Sequence, residues 1–388
     1  MALISKLNAI GDAIRNKTGK TDLLTLEQMP VEIAAIETGG GELPEEAFKI
    51  TGNCQYRFAN DGWSWFIENY GNKITTEGIT SIERMFSNSS ELEEIPFDLN
   101  CDNSTYANHY YVFDGCYKLK KIGKIINLYP GQLNYFFRNC YMLRELPEFV
   151  NLNMDRIHTY VSANLSYMFY GCYSLRSIPD YLIKELWGIG TVNSLSFIAS
   201  AFHSCYALDE IKGLMPKTGA VQTNMFSGTF KGCWRVKDII FAIQEDGTPY
   251  VVSWRNQTID LSGADKYSYV GYAEMTTDGT NYLCSEITNY NSGITADKAV
   301  YSDATYAALK DDPDWFGTRN YARYNHDSAV NTINSLPDTS AYLAEKGGTN
   351  TIKFRGVAGS KTDGGAINTL TEEEIAVATA KGWTVTLV

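Results

Sequence analysis

The sequence has few of the features on which most enzymes and membrane proteins depend. Its four histidines, His109, His158, His203 and His326, fall in no recognisable nucleophile or metal-ligand pattern. No segment approaches the roughly 20 consecutive apolar residues that span a bilayer, and the first residues lack the apolar core of a secretory signal. We therefore expect a protein that folds in a cytoplasm, is not an enzyme, requires no cofactor or metal, and has no membrane partner.

Positive charge is also scarce. The 33 Lys and Arg residues are outnumbered by 45 Asp and Glu residues, which gives a formal net charge of −12. An acidic chain repels phosphate backbones, and no basic stripe reverses this locally. The charge balance therefore argues against nucleic acid as a partner.

The eight cysteines lack the spacing of a metal or redox site, because the sequence has no CxxC pair and no interleaved histidine. Five of them share one position of an internal repeat. They could form a metal or redox site, but a column of small buried thiols that pack as hydrophobes is the favoured interpretation. These five are Cys116, Cys140, Cys172, Cys205 and Cys233.

What the sequence does contain is a repeat of Phe, Ser or Cys three residues on, Leu or Val six on, and Ile or Leu nine on. Six copies lie between residues 82 and 244, at spacings of 24 to 33 residues. A unit this short cannot bury its own apolar side, so it must stack on its neighbours as the coils of a solenoid do. Stacking predicts a core ladder of the cysteines and of Phe86, Phe113, Phe137, Phe169, Phe202 and Phe230.

An aromatic residue follows each of the five cysteines: Tyr117, Tyr141, Tyr173, Tyr206 and Trp234. In stacked copies these residues would form a stripe along one face. Such a stripe could stack against sugar rings or form a protein interface, and we keep this as a candidate surface-recognition site. The competing interpretation, which the sequence slightly favours, is a structural ladder that shields the turn beside the core.

Residues 1–38 show two short apolar stripes at helical spacing, and 39–45 form a Gly-rich linker. Two helices of this length are too short to be stable alone, so the sequence predicts a helical hairpin that anchors the chain to a partner. The predicted anchoring residues are Leu3, Leu7, Ile10, Ile14, Leu26, Met29, Ile33 and Ile36.

The repeats are predicted to occupy residues 46–244, followed by a Tyr-rich, β-rich insertion at 245–324. The acidic segment 311–314 in that insertion lacks the spacing of an EF-hand, so a solvated turn is a simpler interpretation than a calcium site. Residues 325–388 are predicted to form a C-terminal repeat and cap.

Local signals in the cap are strong. Thr371 and Glu374 have the spacing of a capping box that opens a helix, Lys381 suits the negative end of its dipole, and Gly382 ends it. A final strand should follow, in which Trp383, Val385 and Leu387 alternate with polar residues.

The Phe-x-x-Cys-x-x-Leu-x-x-Ile pattern resembles the BspA-type leucine-rich repeat of bacterial surface proteins and phage structural proteins. The stretches 326–337 and 380–385 resemble an ending common in the phage versions. Residues 7–19 and 26–30 resemble a leader found on many phage tail and fibre proteins. The resemblance implies an α+β protein, with a leucine-rich-repeat solenoid, an N-terminal helical hairpin anchor and a β-rich insertion.

For function, the resemblance implies a non-enzymatic virion protein that assembles in the host cytoplasm. A tail fibre, receptor-binding or baseplate-associated role comes first, with a capsid or tail decoration or bridging role as the alternative. Its expected partners are other virion proteins, a host-surface glycan or protein, and copies of itself, with a trimer as one possible state.

Two other classes of protein remain open. A bacterial surface adhesin would share the solenoid, but it should also carry an export signal or an anchor, and neither is visible. A glycan-cleaving enzyme would need a carboxylate pair, for which any acidic chain contains candidates.

Overall fold

The computed structural model describes residues 45–102, 109–128, 132–152, 164–182, 198–205, 208–214, 224–233, 236–262, 271–277, 281–287, 299–302, 324, 326–354 and 370–388. This part of the chain is a mixture of short, mostly parallel strands, turns and a few helices. The predicted anchor hairpin, with all eight of its apolar residues, lies outside the described residues. Of the predicted linker, only Glu45 is described, and it begins a short 3₁₀ helix, Glu45–Phe48.

Consecutive repeat copies are joined by very short parallel strands. In chain order these elements are β1 Lys49–Asn53, α1 Ser64–Tyr70, β2 Thr75–Ser81, β3 Glu94–Ile95, β4 Leu99–Asn100, β5 Lys121–Ile122, β6 Ile125–Ile126, β7 Phe149–Val150, β8 Glu210–Leu214 and β9 Asp238–Phe241. β1 pairs with β2, β3 with β5, β4 with β6, β6 with β7, and β8 with β9. Parallel neighbours need a long connection between them, and here most of one repeat copy supplies it.

The Phe position of each copy packs against the same position of the next. Consecutive ring centroids lie 5.3 to 6.2 Å apart, and all six predicted rings are at most 1% exposed. Backbone hydrogen bonds also link neighbouring copies. The amide of the column Phe donates to the carbonyl of the residue before the next column Phe, as the Phe113 amide does to the Phe136 carbonyl at 2.9 Å. That these copies make up a BspA-like leucine-rich-repeat solenoid stays a prediction.

The Phe column has one member more than the sequence pattern predicts. The Phe58 ring lies 5.5 Å from that of Phe86, and the Phe58 amide donates to the Met85 carbonyl at 2.8 Å. The pattern misses this copy because Asp61 stands where Ser or Cys is expected and Ser64 where Leu or Val is expected. The short helix α1 begins at Ser64.

Each column phenylalanine lies between two residues of left-handed backbone, two positions before and two after it. Around Phe137 these are Tyr135 and Asn139, both with φ of 61°, and the same holds around the other column members. The residue two positions after Phe is Asn, Gly or Ser, of which Gly and Asn tolerate this conformation best. A tyrosine before Phe is strained there, and its ring contacts, described below, are the contacts that can offset the strain.

The remaining elements are β10 Thr258–Asp260, β11 Gly271–Thr277, β12 Asn281–Ile287, β13 Ala299–Ser302, α2 His326–Ser335, α3 Ser340–Lys346, β14 Asn350–Phe354, α4 Glu372–Ala380 and β15 Trp383–Leu387. β11, β12 and β13 form an antiparallel sheet inside the predicted insertion. β10 also falls within the predicted insertion, yet it pairs in parallel with β14, Ile259 opposite Ile352. The buried Trp254 likewise contacts Trp383. Residues near 250–261 therefore pack with the C-terminal part rather than with the insertion.

The C-terminal helix α4 begins as the sequence predicts. Thr371 Oγ1 accepts from the Glu374 amide at 3.3 Å, and the Glu374 carboxylate accepts from the Thr371 amide at 2.7 Å, which confirms the capping box. The strand β15 is also confirmed, although its alternation buries Trp383 and leaves Leu387 exposed.

Lys381 does not act as predicted. It lies at the C-cap, beyond the last turn of α4, and its Nζ donates to the carbonyls of Ile333 and Asn334 at 3.0 and 2.6 Å. Those carbonyls belong to the last turn of α2, where a helix leaves acceptors unpaired. The side chain therefore caps a neighbouring helix instead of its own.

Candidate functional site

The histidines are dispersed. Burial lowers the pKa of His109 to about 4, and burial together with nearby Lys231 lowers the pKa of His203 to about 4, so both rings are neutral at pH 7. His326 lies in the C-terminal part, and His158 is outside the described residues. Within the described ranges, no group of three or more His, Cys, Asp or Glu side chains is placed to hold a metal ion.

The ladder cysteines are hydrogen-bond donors of the core. All five are completely buried, and each Sγ lies 3.0 to 3.1 Å from the carbonyl oxygen of the column Phe in the preceding copy. Ser89 fills this position in its own copy and donates to the Phe58 carbonyl at 2.7 Å. Burial raises the pKa of each thiol and so disfavours the thiolate that metal binding or nucleophilic attack requires.

The aromatic stripe predicted from the sequence is a stack of rings over its described members. Tyr117, Tyr141 and Tyr173 have consecutive centroids 4.9 and 4.5 Å apart, with interplanar angles of 13° and 1°. Tyr206 and Trp234 lie outside the described residues. Because stacked rings cover each other's faces, the stripe presents ring edges and hydroxyls outward. This arrangement supports a structural ladder more than a platform for stacking sugar rings.

A second aromatic column lies two residues before the column Phe in several copies, and sequence reasoning missed it. Tyr111, Tyr135 and Tyr167 stack with centroids 4.5 and 4.8 Å apart and interplanar angles of 3° and 9°. Tyr56 and Arg84 occupy the same position in the two preceding copies. The available signal was the repeated Tyr upstream of Phe, which a pattern that begins at Phe does not include.

Two arginines are layered into this column. The Arg84 Cζ lies over the Tyr111 ring at 4.2 Å and over the exposed Tyr56 ring at 5.7 Å from their centroids. The Arg138 Cζ lies 4.7 Å from the centroid of Tyr135. Cations over aromatic faces at such distances are attracted by the ring quadrupole.

The two arginines differ in their ionic partners. Arg138 donates two hydrogen bonds of 2.7 Å to the carboxylate of Asp114, a paired geometry that neutralises it. Arg84 has only Glu83, with 3.8 Å between Nε and Oε1, beyond hydrogen-bonding distance. Among the residues that the structure describes, the Arg84 side chain makes no hydrogen bond, and its Nε is inaccessible to solvent.

The column continues into a broader surface. Tyr170, one residue after its column Phe, lies 5.6 Å from Tyr167 and stacks on His203 at 4.6 Å. We call this surface the cation–aromatic face. It spans six consecutive copies and consists of Tyr56, Arg84, Tyr110, Tyr111, Tyr135, Arg138, Tyr167, Tyr170 and His203.

The sequence matches no protein-family model, and no curated protein or solved structure is significantly similar to it. No helix of the described part is both long enough and apolar enough to cross a membrane. A function for this chain therefore has to come from its own residues and their geometry.

Proposed function

We propose that this protein is a non-enzymatic structural component of a phage virion, in the tail fibre, receptor-binding or baseplate region. The repeat units of one chain would form a BspA-like leucine-rich-repeat solenoid that presents a surface to the host. The observation that carries the proposal is the cation–aromatic face, a row of Tyr, Arg and His side chains that a continuous Phe and Cys core holds in register.

The composition of that face suits recognition. Tyr and Arg are enriched in protein interfaces and among the residues that contribute most to binding. Their rings and guanidinium groups are stacked before any partner arrives, so little side-chain entropy remains to be lost on binding. Such a surface on a rigid core is expected of an attachment protein.

The order of segments supports a place in a virion. Residues 1–38, which resemble phage tail leaders, would dock to other virion proteins, and the 39–45 linker would allow the repeats to face outward. Several copies on one particle, as a homo-oligomer such as a trimer, would turn weak host contacts into avidity.

The test uses purified virions that carry this gene, the full-length protein, and a variant lacking residues 1–38. We expect mass spectrometry to find the chain in the virion, both forms to bind intact host cells, and only the full-length form to associate with particles that lack the protein. If neither form binds cells while the full-length form joins particles, the chain is a decoration or bridging protein. Absence from virions together with display on a bacterial surface would establish an adhesin instead.

A further inference from the structure

We propose that the cation–aromatic face binds an acidic, carboxylate-bearing polysaccharide, with Arg84 as the residue that binds a carboxylate. The inference rests on the proposed host-attachment function and names the class of surface molecule that it would recognise. It is carried by the guanidinium of Arg84, which makes no hydrogen bond within the described part, by the charge balance of the face, and by the orientation of the rings.

Arg84 is held ready for an anion. The Arg84 Cζ lies 4.2 and 5.7 Å from the ring centroids of Tyr111 and Tyr56, and about a third of the side chain remains exposed. Its Nε is buried without a hydrogen-bond partner in the described part, so the Nη groups are the donors that an incoming carboxylate can reach. A carboxylate can accept two parallel hydrogen bonds from such a fork, the strongest pairing available to arginine.

The charges of the face differ from those of the whole chain, whose formal net charge is −12. Its acidic side chains are already engaged and largely shielded: Asp114 is 8% exposed and bonded to Arg138, and Glu83 is 13% exposed and hydrogen-bonded to Tyr110. The formal charges of Arg84 and Arg138 balance those of Glu83 and Asp114, so the face is locally neutral on a strongly acidic chain. An anionic ligand would therefore meet less repulsion here than over an acidic part of the surface.

The stacked rings favour a sugar polymer over a nucleic acid. Single-stranded nucleic acids bind by stacking bases on open aromatic faces. The faces of Tyr111 and Tyr135 are covered by their neighbours, so the column offers ring edges and phenolic hydroxyls instead. Hydroxyls that both donate and accept suit the hydroxyls of sugars, and a row across six copies suits an extended chain.

The experiment is affinity electrophoresis of the full-length protein in native gels containing polygalacturonate, with neutral dextran and a dT30 oligonucleotide as comparison ligands. We expect retardation by polygalacturonate that weakens with added salt, and none by dextran. Arg84→Asn removes the charge with a residue that tolerates the φ of 53°, and should weaken binding about tenfold or more. Tyr181→Asn, at an exposed tyrosine outside both aromatic columns, is the matched control and should leave binding unchanged.

Three results would overturn the inference: no retardation by polygalacturonate, equal binding by Arg84→Asn, or tighter binding of dT30. Should Arg84→Asn lose its cooperative unfolding transition, Arg84→Lys decides instead. Lysine keeps the positive charge but lacks the paired N–H donors of arginine, so this variant should bind polygalacturonate more weakly than the wild type. Binding equal to that of the wild type overturns the role of the guanidinium. Wild-type protein that joins virions and binds cells despite excess polygalacturonate would defeat this inference alone, whereas absence from virions would defeat the proposed function.

Discussion

At the scale of single residues, each repeat position combines a packing requirement with a hydrogen-bonding one. The position three residues after Phe must be small and apolar enough for the core, yet able to donate to a carbonyl of the preceding copy. Cys meets both needs in five copies and Ser89 in a sixth. This explains why thiols can concentrate in one column as small packing groups that also donate hydrogen bonds.

Substitutions at Ser89 test this requirement. Ser89→Ala removes bonds of 2.7 and 3.1 Å to the Phe58 and Asn60 carbonyls, so we expect a loss of about 1–2 kcal/mol in the free energy of unfolding. Ser89→Cys introduces the residue of the other copies, which keeps a donor, and should cost less than half as much. Urea denaturation of the two variants makes the comparison, and equal losses would show that the donor is unimportant.

Gly171 tests the left-handed position after Phe. Its φ is 74°, and an added Cβ would lie 2.7 Å from Asn139 Oδ1 of the neighbouring copy. We expect Gly171→Ala to lower the free energy of unfolding by about 1–2 kcal/mol through left-handed strain, and further because Asn139 must be displaced. Gly247→Ala is the control, because Gly247 has a similar φ of 83° with open space around it. If denaturation finds the two substitutions equally destabilising, contact between copies does not restrict this position.

At the scale of elements, those defined by local signals could be predicted and those defined by distant partners could not. The capping box of α4 and the glycine that ends it lie within a dozen residues of each other, so the sequence predicted both. Composition alone places β10 in the insertion, because its partner strand, with Ile352 opposite Ile259, lies far along the chain. The cation–aromatic face was missed for a related reason: its tyrosines become one column only when the copies stack.

The contact between α2 and α4 should depend on pH. His326 Nε2 lies 3.0 Å from Glu374 Oε2, and this hydrogen bond raises the pKa of His326 above its usual 6.5. A raised pKa gives stability that is present below 6.5 and is lost as pH rises through the folded-state value. The pKa of Glu374 is lowered from 4.5, mainly by its hydrogen bond from the Thr371 amide and then by His326, so its contribution is lost as pH falls.

We therefore expect His326→Gln to lower the Tm more at pH 5.5 than at pH 8, measured against the wild type at each pH by scanning calorimetry. Asp327→Asn is the control, because Asp327 is highly exposed and its 3.4 Å contact is a smaller cause of the same shift. An equal deficit at both pH values would mean that the pair contributes nothing in its charged form.

At the scale of the whole molecule, one continuous core links the repeat copies to the C-terminal part. Phe226 contacts Trp254, and Trp254 in turn contacts Trp383, so the Phe-rich packing passes into the last sheet. β11, β12 and β13 hydrogen-bond only to one another among the described strands. The segment that is separate from the core is thus narrower than the 245–324 insertion predicted from composition.

Two deletions of different length can decide where the insertion begins and ends. Asp260 pairs with Lys353, and the Tyr324 ring lies 6.3 Å from that of Phe354, so both ends of the insertion lie beside the same strand. We expect replacement of residues 265–322 by a short Gly-Ser linker to preserve cooperative unfolding, because a short loop closes at little entropic cost. Deleting 245–324 also removes the buried residues Trp254, Ile259, Leu261 and Tyr324, and should abolish the transition, since losing even one buried tryptophan costs about 3–5 kcal/mol. Tryptophan fluorescence monitors the unfolding of both variants. If the variant lacking 245–324 also unfolds cooperatively, the insertion begins at residue 245 as composition predicts.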